Sequence, residues 1–132
     1  MKVRVLVVDD DQEVRSLVRM ILESKGMEVE EAATGEEALL KLREGEGDDR
    51  PDLVLLDVMM PGMSGWEVLR ELKKDEELRS IPVVMLSALE PTVEDMMRPE
   101  FDELVDYVLK PDLTPSLLGK FKSKIAPLAG NP

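Results

Sequence analysis

The chain has 132 residues, a length typical of one domain, and without cysteine or histidine it cannot use disulfides, thiol or histidine catalysis, or zinc sites built on those side chains. Seventeen basic and 29 acidic residues give a net charge of −12, which opposes binding to nucleic acid. The apolar runs are too short for a membrane span or a signal peptide, so we expect a cytoplasmic protein that contacts no membrane.

Strand-like and helix-like apolar patterns alternate along the first half of the chain. Residues 3–8 form a β-branched run that predicts a strand, ended by three aspartates. Residues 14–22 carry apolar side chains at the i, i+3, i+4 spacing of a helix. Residues 27–30 alternate like a half-exposed edge strand, and the capping-box pattern at 34–37 opens a second helix.

The second half continues this alternation, with two short apolar runs that are typical of strands buried on both faces. The predicted elements are a strand at residues 53–56, a helix opened by a capping box at 64–67, a strand at 82–86, a short helix at 92–98, a strand at 107–109 and a last helix at 114–125.

Five strands that alternate with helices predict an α/β fold with a parallel sheet and helices on both faces. We expect one domain over residues 1–126 and a frayed tail over residues 127–132. In such folds the ligand lies beyond the carboxyl ends of the strands, so the residues that follow each strand are the candidate site.

Those residues are Asp9, Asp10, Asp57, Ser87 and Lys110. Clustered carboxylates repel each other and need a cation, and an all-oxygen ligand set favours Mg²⁺, with Mn²⁺ as the second choice. A lysine and a hydroxyl beside a metal-bound carboxylate can hold an oxyanion. This combination indicates phosphoryl transfer, in which catalysis is mostly positioning and charge neutralisation.

The motifs around these residues resemble the receiver domain of bacterial and archaeal response regulators over residues 3–125. The resemblance implies a doubly wound, flavodoxin-like parallel sheet of five strands in the order 2-1-3-4-5, flanked by five helices. The motifs are Leu6-Val7-Val8-Asp9-Asp10, Asp57 followed by Pro61-Gly62 and Gly65, Leu86-Ser87-Ala88, and Tyr107-Val108-Leu109-Lys110-Pro111.

The same resemblance assigns a role to each matching residue. Asp57 is expected to be the phospho-acceptor, Asp10 to bind Mg²⁺ directly, and Asp9 to bind it directly or through water. The backbone carbonyl of Met59 is the expected third protein ligand, beside the carboxylate of Asp57 itself.

Further roles follow from the resemblance for the last two strands. Ser87 is expected to hydrogen-bond the phosphoryl group, Lys110 to pair with it, and Tyr107 to act with Ser87 as the switch. The bond between Lys110 and Pro111 is expected to be cis. The surface of the fourth helix, fifth strand and fifth helix is expected to bind a downstream target or a second copy of the chain.

The absence of histidine means that the phosphohistidine donor is another protein, a sensor histidine kinase or a phosphotransfer protein. We therefore expect a signalling switch that catalyses its own phosphorylation and dephosphorylation, rather than an enzyme. The sequence leaves open whether this receiver acts alone or belongs to a longer chain with an output domain.

Three other classes of protein compete with this interpretation. An aspartyl-phosphate phosphatase carries Asp-x-Asp at its nucleophile, but Met59 stands where the second aspartate is needed. A flavin carrier needs a phosphate loop after the first strand, where three aspartates would repel the phosphate. A receiver-like module that is never phosphorylated typically loses the acidic pair, the acceptor or the lysine, and this chain keeps them all.

The chain departs from the family pattern before its fifth strand, where residues 101–106 replace the usual pair of small residues. Pro91 and Pro99 also bracket the fourth helix, so we expect residues 92–98 to be mobile or irregular before phosphorylation. In this family, residues two positions after the acceptor and two after the serine flank the hydrolytic water. Met59 and Leu89 occupy these positions and cannot orient it, which predicts slow dephosphorylation.

Overall fold

The computed structural model describes residues 2–112, with five strands and four α-helices in that part of the chain. The strands are β1 (Arg4–Val8), β2 (Glu28–Ala32), β3 (Leu53–Asp57), β4 (Val83–Ser87) and β5 (Asp106–Leu109), and the α-helices are α1 (Gln12–Ser24), α2 (Gly35–Glu44), α3 (Gly65–Lys74) and α4 (Val93–Met96). Among the described helices, none is both long and apolar enough to cross a membrane.

The five strands form one parallel sheet, as their alternation with helices predicted, in the order β2-β1-β3-β4-β5 that the family resemblance implied. Every residue of β3 and β4 is buried, as is typical of the central strands of a parallel sheet. β2 lies at the edge, and its burial is confined to Val29 and Ala32. The two continuous apolar runs are therefore central strands, and the alternating run is an edge strand, as expected.

The two faces of the sheet carry separate apolar clusters. One cluster packs α1, through Val18, Ile21 and Leu22, against its face of the sheet. The other packs α2 and α3, and it includes Trp66, which is buried as a packing residue. The sheet is thus packed on both faces, and its carboxyl edge is left to carry the site.

Side-chain caps fix where the helices begin. Asp11, Thr34 and Ser64 each accept a hydrogen bond from a backbone N–H in the first turn, at 2.9, 3.0 and 3.3 Å. The predicted box at residues 34–37 differs in its second half, because the Glu37 carboxylate accepts from the N–H of Ala33 rather than from Thr34. Within residues 2–112, the full reciprocal box is formed at Thr92.

Besides small shifts of strand ends, the structure differs from the prediction at the site strands, the fourth helix and one peptide bond. β3 and β4 each extend one residue further, so that Asp57 and Ser87 end their strands instead of following them. The fourth helix has only four residues and gives way to a 3-10 turn at Pro99–Glu103. The expected cis bond between Lys110 and Pro111 is wrong, since it is trans here, the form that most X-Pro bonds adopt. The fifth helix and the tail, predicted at 114–125 and 127–132, lie outside the described residues.

Candidate functional site

The carboxyl edge of the sheet brings the predicted site residues together. Val8 pairs with Leu56 and Asp57 with Leu86 in the parallel register, so Asp9 follows β1 directly beside the end of β3. Lys110 follows β5, whose last residue, Leu109, pairs with Ser87. Because parallel strands end at one edge, residues from four strands converge without any long loop.

Asp57 is the central carboxylate of the site and is only 2% exposed. Its Oδ1 lies 3.3 Å from the backbone N of Met59 and 3.3 Å from Nζ of Lys110. Its Oδ2 is buried and has no hydrogen-bond partner among the described residues. A buried carboxylate oxygen without a partner carries a desolvation cost, which a bound cation or an electrophile can relieve.

The Lys110 ammonium bridges two carboxylates, 2.9 Å from Oδ2 of Asp9 and 3.3 Å from Oδ1 of Asp57. Burial lowers the pKa of Lys110, but the two aspartates outweigh burial and raise the pKa above its ordinary value. The side chain is therefore a permanent cation at neutral pH, placed to neutralise charge on an oxygen bound at Asp57.

The protonation of Asp57 is set by its surroundings. Burial raises the pKa of this carboxyl, the negative charge of Asp9 raises it further, and Lys110 only partly opposes them, so that the pKa is about 7. A second positive charge is needed to hold Asp57 fully ionised near neutral pH.

Three carboxylates form a group that could hold such a charge. Asp9, Asp10 and Asp57 each present one oxygen, and these oxygens all lie within 4.8 Å of one another. Asp9 is fully buried, and its Oδ1 accepts a hydrogen bond of 2.9 Å from the N–H of Asp11. An all-oxygen set of this size fits Mg²⁺ or Mn²⁺ better than softer ions. The carbonyl of Met59 as a further ligand stays a prediction.

Ser87 is 2% exposed and accepts a hydrogen bond of 3.1 Å from the N–H of Leu89. No acceptor for its own hydroxyl proton is found in the described part of the chain, so this proton can be donated to a group bound at Asp57. The hydroxyl of Tyr107 donates to the carbonyl of Leu89 at 3.0 Å. Ser87 and Tyr107 therefore hold the same loop residue from opposite sides of its backbone.

Sequence reasoning missed Arg15, which lies on the first turns of α1. Its guanidinium donates to the backbone carbonyl of Asp9 at 2.7 Å and to Glu31 at 3.0 Å. Glu31 also accepts from Arg19 at 2.6 Å. The position of Arg15, four residues after the helix cap at Asp11, was the available signal, because that spacing returns the side chain to the same face of the helix.

Gly65 was noted as part of a motif, but its physical reason is visible only in the structure. A Cβ atom at this position would lie 2.3 Å from the carbonyl oxygen of Asp57 and 2.9 Å from Cα of Val58. The N–H of Gly65 also donates to the carbonyl of Val58 at 2.9 Å. α3 thus begins in contact with the backbone of the acceptor, which only glycine permits.

Comparison with known proteins decides the family. A family model for the response regulator receiver domain matches residues 5–121. The chain belongs to this family. This receiver domain is 37% identical to the DNA-binding response regulator MtrA of Mycolicibacterium smegmatis over 95% of its own length and 51% of that protein's. It is also 37% identical to the phosphate regulon transcriptional regulatory protein PhoB of Escherichia coli, over 96% of its length and 54% of that protein's.

Solved receiver structures show the same architecture. The chemotaxis protein CheY4 of Vibrio cholerae aligns with a TM-score of 0.82 at 30% identity, covering 95% of this chain and 99% of that one. The response regulator TrrA of Thermotoga maritima, solved in complex with Mg²⁺ and BeF, aligns with a TM-score of 0.75 at 35% identity, covering 93% and 98%. The receiver domain spans about half the length of the curated relatives it matches.

Proposed function

We propose that this receiver accepts a phosphoryl group on Asp57 from the phosphohistidine of a sensor kinase or a phosphotransfer protein, in a reaction that needs Mg²⁺. One observation carries the proposal: a buried carboxylate with one unpartnered oxygen lies between a lysine ammonium and two further carboxylates. That arrangement provides the nucleophile, the charge neutralisation and the metal ligands that phosphoryl transfer uses.

The unpartnered Oδ2 of Asp57 is the proposed attacking atom. Its attack on phosphorus forms an acyl phosphate and breaks the phosphorus–nitrogen bond of the donor, whose imidazole leaves and takes a proton from water. Lys110 and the Ser87 hydroxyl then face oxygens that carry the developing charge. Asp9, Asp10 and Asp57 would hold Mg²⁺, and the ion supplies positive charge to the transferred group.

The metal also has a role before transfer. With a pKa of about 7, Asp57 is protonated in a large fraction of molecules at neutral pH, and a protonated carboxyl is a poor nucleophile. A divalent cation among the three carboxylates lowers this pKa by direct charge attraction. We therefore expect activation by Mg²⁺ to be stronger at pH values below the pKa of Asp57 than above it.

Relatives support this chemistry and suggest a regulatory output. TrrA was solved with Mg²⁺ and BeF, and MtrA and PhoB are described as a DNA-binding and a transcriptional regulator. This receiver spans about half the length of MtrA and PhoB, so we propose a regulatory output for it without assigning it their activities. We infer a cytoplasmic switch whose described domain, with its negative charge, contacts neither nucleic acid nor membrane.

Phosphorylation is proposed to act through Ser87 and Tyr107 on the surface of α4 and β5, which binds a target or a second copy. The fifth helix, which the sequence predicted as part of this surface, lies outside the described residues. Donation from Ser87 to the phosphoryl group would move the loop that carries Leu89, since the Leu89 N–H is bonded to Ser87. Tyr107 is bonded to the carbonyl of the same residue and would respond. The result is a shift between two arrangements of this surface.

The test uses acetyl phosphate as the donor and mass spectrometry as the measurement. Wild type and Asp102→Asn, which alters an exposed carboxylate elsewhere, should gain one phosphoryl group in Mg²⁺. Asp57→Asn should gain none, and EDTA should abolish the reaction in wild type. An equal mass gain on Asp57→Asn would overturn the assignment, and no gain on wild type would indicate a module that is never phosphorylated.

A further inference from the structure

Half of the exposed large hydrophobic side chains of the described residues lie in one short stretch. Leu89, Val93, Met96 and Met97 are 64%, 68%, 46% and 78% exposed, and only four other large hydrophobic residues are exposed in residues 2–112. No residue of α4 is buried. An apolar cluster of this kind on a small domain commonly marks a docking surface.

The same stretch concentrates the negative charge of the protein. Residues 88–106 contain seven carboxylates and one arginine, a net charge of −6, which is half of the −12 of the whole chain. The arginine, Arg98, is already engaged, 3.4 Å from Asp95 and with its guanidinium carbon 5.1 Å from the ring centre of Trp66. The outward charge of this stretch is therefore left without compensation from its own residues.

The carboxylates of this stretch divide by direction. Glu100 and Glu103 face α3 and pair with Arg70 at 3.1 Å and Lys73 at 3.9 Å. Glu90, Glu94 and Asp102 are exposed, and no ion pair is described for them within residues 2–112. These three carboxylates, together with Leu89, Val93, Met96 and Met97, are termed the acidic apolar patch below.

We propose that the acidic apolar patch binds a basic amphipathic helix of a partner protein, one that carries leucine-like residues on one face and lysine or arginine beside them. The apolar side chains offer the contact area for such a helix, and methionine adapts to different partners. The exposed carboxylates select a basic segment and speed its approach. A groove of about 550 Å³ between α4 and β5, lined by Met96 and Tyr107, extends the surface.

Other occupants fit this patch less well. A second copy in a two-fold dimer would set the patch against itself, so that the −6 stretches of both chains repel each other. Nucleic acid is opposed by the same charge. The proposed function leaves open whether this surface binds a target or a second copy, and charge complementarity favours the target.

Leu89 links the patch to the acceptor site, and at this point the inference rests on the proposed function. Its N–H is bonded to Ser87 at 3.1 Å, its carbonyl to Tyr107 at 3.0 Å, and its side chain lies in the patch. A displacement of Ser87 toward a phosphoryl group would therefore move one member of the patch directly. We expect activation to tighten the binding of the basic helix.

The experiment measures binding of a labelled peptide of about 14 residues, built from Lys and Leu at helical spacing, to the full chain by fluorescence anisotropy. Binding is measured with and without Mg²⁺ and beryllofluoride. Reversal of two patch charges, Glu90→Lys with Glu94→Lys, should weaken binding by about tenfold or more. The matched control, Glu44→Lys with Glu46→Lys, changes the net charge equally at the end of α2 and in the loop that follows, outside the patch, and should bind like wild type.

Two further comparisons separate apolar from purely ionic binding. Met97→Ser should weaken binding, while Met20→Ser, which alters another exposed methionine, this one on α1, should not. A Glu and Leu peptide of the same spacing should not bind. Equal binding to both charge-reversed proteins, or tight binding of the acidic peptide, would overturn the proposal. A dimer of wild type in analytical sedimentation that becomes a monomer in Met97→Ser would also overturn it.

Failure of the proposed function gives a different result. In that case beryllofluoride leaves peptide affinity unchanged in wild type and acetyl phosphate does not modify Asp57, while the patch variants still lose affinity; this outcome supports the patch alone. If Asp57 is modified but the patch variants bind like wild type, the phospho-acceptor stands and the patch is overturned.

Discussion

Arg15 donates a hydrogen bond of 2.7 Å to the backbone carbonyl of Asp9. The same guanidinium is held by Glu31 at the end of β2, and its side chain is only 14% exposed. Burial raises the pKa of Glu31, but hydrogen bonds from Arg19 and Arg15 outweigh it, so Glu31 stays ionised. Arg15 therefore braces the loop that presents Asp9 and Asp10, and it acts as a positioning residue.

This relationship predicts a selective loss of metal affinity. Arg15→Met should weaken Mg²⁺ binding by about tenfold, since a mispositioned ligand loses affinity on the scale of outer-shell mutations. Arg19→Met is the matched control, because Arg19 shares Glu31 but has no bond to Asp9. Calorimetric Mg²⁺ titration measures the effect on metal binding, and urea unfolding in EDTA measures any effect on the stability of the fold. Equal metal affinities for both variants would reduce Arg15 to a structural residue.

The raised pKa of Asp57 predicts how stability depends on pH without metal. Between the ordinary value of 3.8 and about 7, the folded state keeps a proton that the unfolded state releases. The free energy of unfolding should therefore fall as pH rises through this window and level off above it, by at most about 4 kcal/mol. In EDTA, the free energy of unfolding of Asp57→Asn should equal that of wild type near the lower end of this pH window. Above the upper end of the window, Asp57→Asn should be the more stable protein.

Urea unfolding at several pH values checks this prediction, and the difference between wild type and Asp57→Asn isolates the one group from other titrations. Saturating Mg²⁺ should remove most of the difference, because the cation offsets the repulsion that raises the pKa. A constant difference across the whole pH range would contradict the prediction.

Close packing of α3 on the acceptor predicts that Gly65 tolerates no side chain. Gly65→Ala should cost about 1–3 kcal/mol, because the new Cβ meets backbone atoms of Asp57 and Val58 that cannot move aside as a side chain would. Gly45→Ala is the control, since its nearest neighbour is the flexible side chain of Arg50 at 3.3 Å. Urea unfolding with equal stabilities for the two variants would show that the acceptor strand shifts freely.

The sequence predicted the order of the elements, because the spacing of apolar residues is a local property of a chain. It also predicted that Asp9, Asp57 and Lys110 converge, because each lies at the end of a strand in a parallel sheet. Strand order 2-1-3-4-5 and the individual roles needed the family resemblance. The spacing of Arg15 from the cap at Asp11 was a signal that was missed, but its bond to the Asp9 carbonyl and the approach of Gly65 to Asp57 depend on how a helix packs on the sheet. The raised pKa of Asp57 was not predictable either, because it depends on burial, a tertiary property that outweighs the neighbouring lysine.

The segment at residues 92–98 shows how local and tertiary effects compete. Thr92 and Asp95 form a full capping box, which favours helix, but α4 buries no residue and is too short to be stable by itself. In unmodified protein, hydrogen exchange should be much faster in α4 than in α3, which buries five residues. Comparable protection of the two helices would show that the fourth helix is rigid before phosphorylation.

The last prediction concerns the lifetime of the phosphorylated state. Met59 and Leu89 are 66% and 64% exposed, so both side chains lie at the solvent side of the loops that carry them. The family resemblance implies that these two positions flank the water that attacks the phosphoryl group, and neither side chain can orient a water molecule by hydrogen bonding. Without that orientation, hydrolysis should be slower by about tenfold or more than at a site where polar side chains orient the water, since each 1.4 kcal/mol of barrier is one decade of rate.

Decay of the phosphorylated protein in Mg²⁺ measures this lifetime, with Met59→Asn and Leu89→Glu placing polar groups on the path of the water. Both variants should lose the phosphoryl group faster than wild type, and because both positions are exposed, their stability should stay unchanged. Met20→Asn, at an exposed methionine on α1, controls for the substitution itself. A wild type that decays within seconds, or polar variants that decay no faster, would show that another group orients the water.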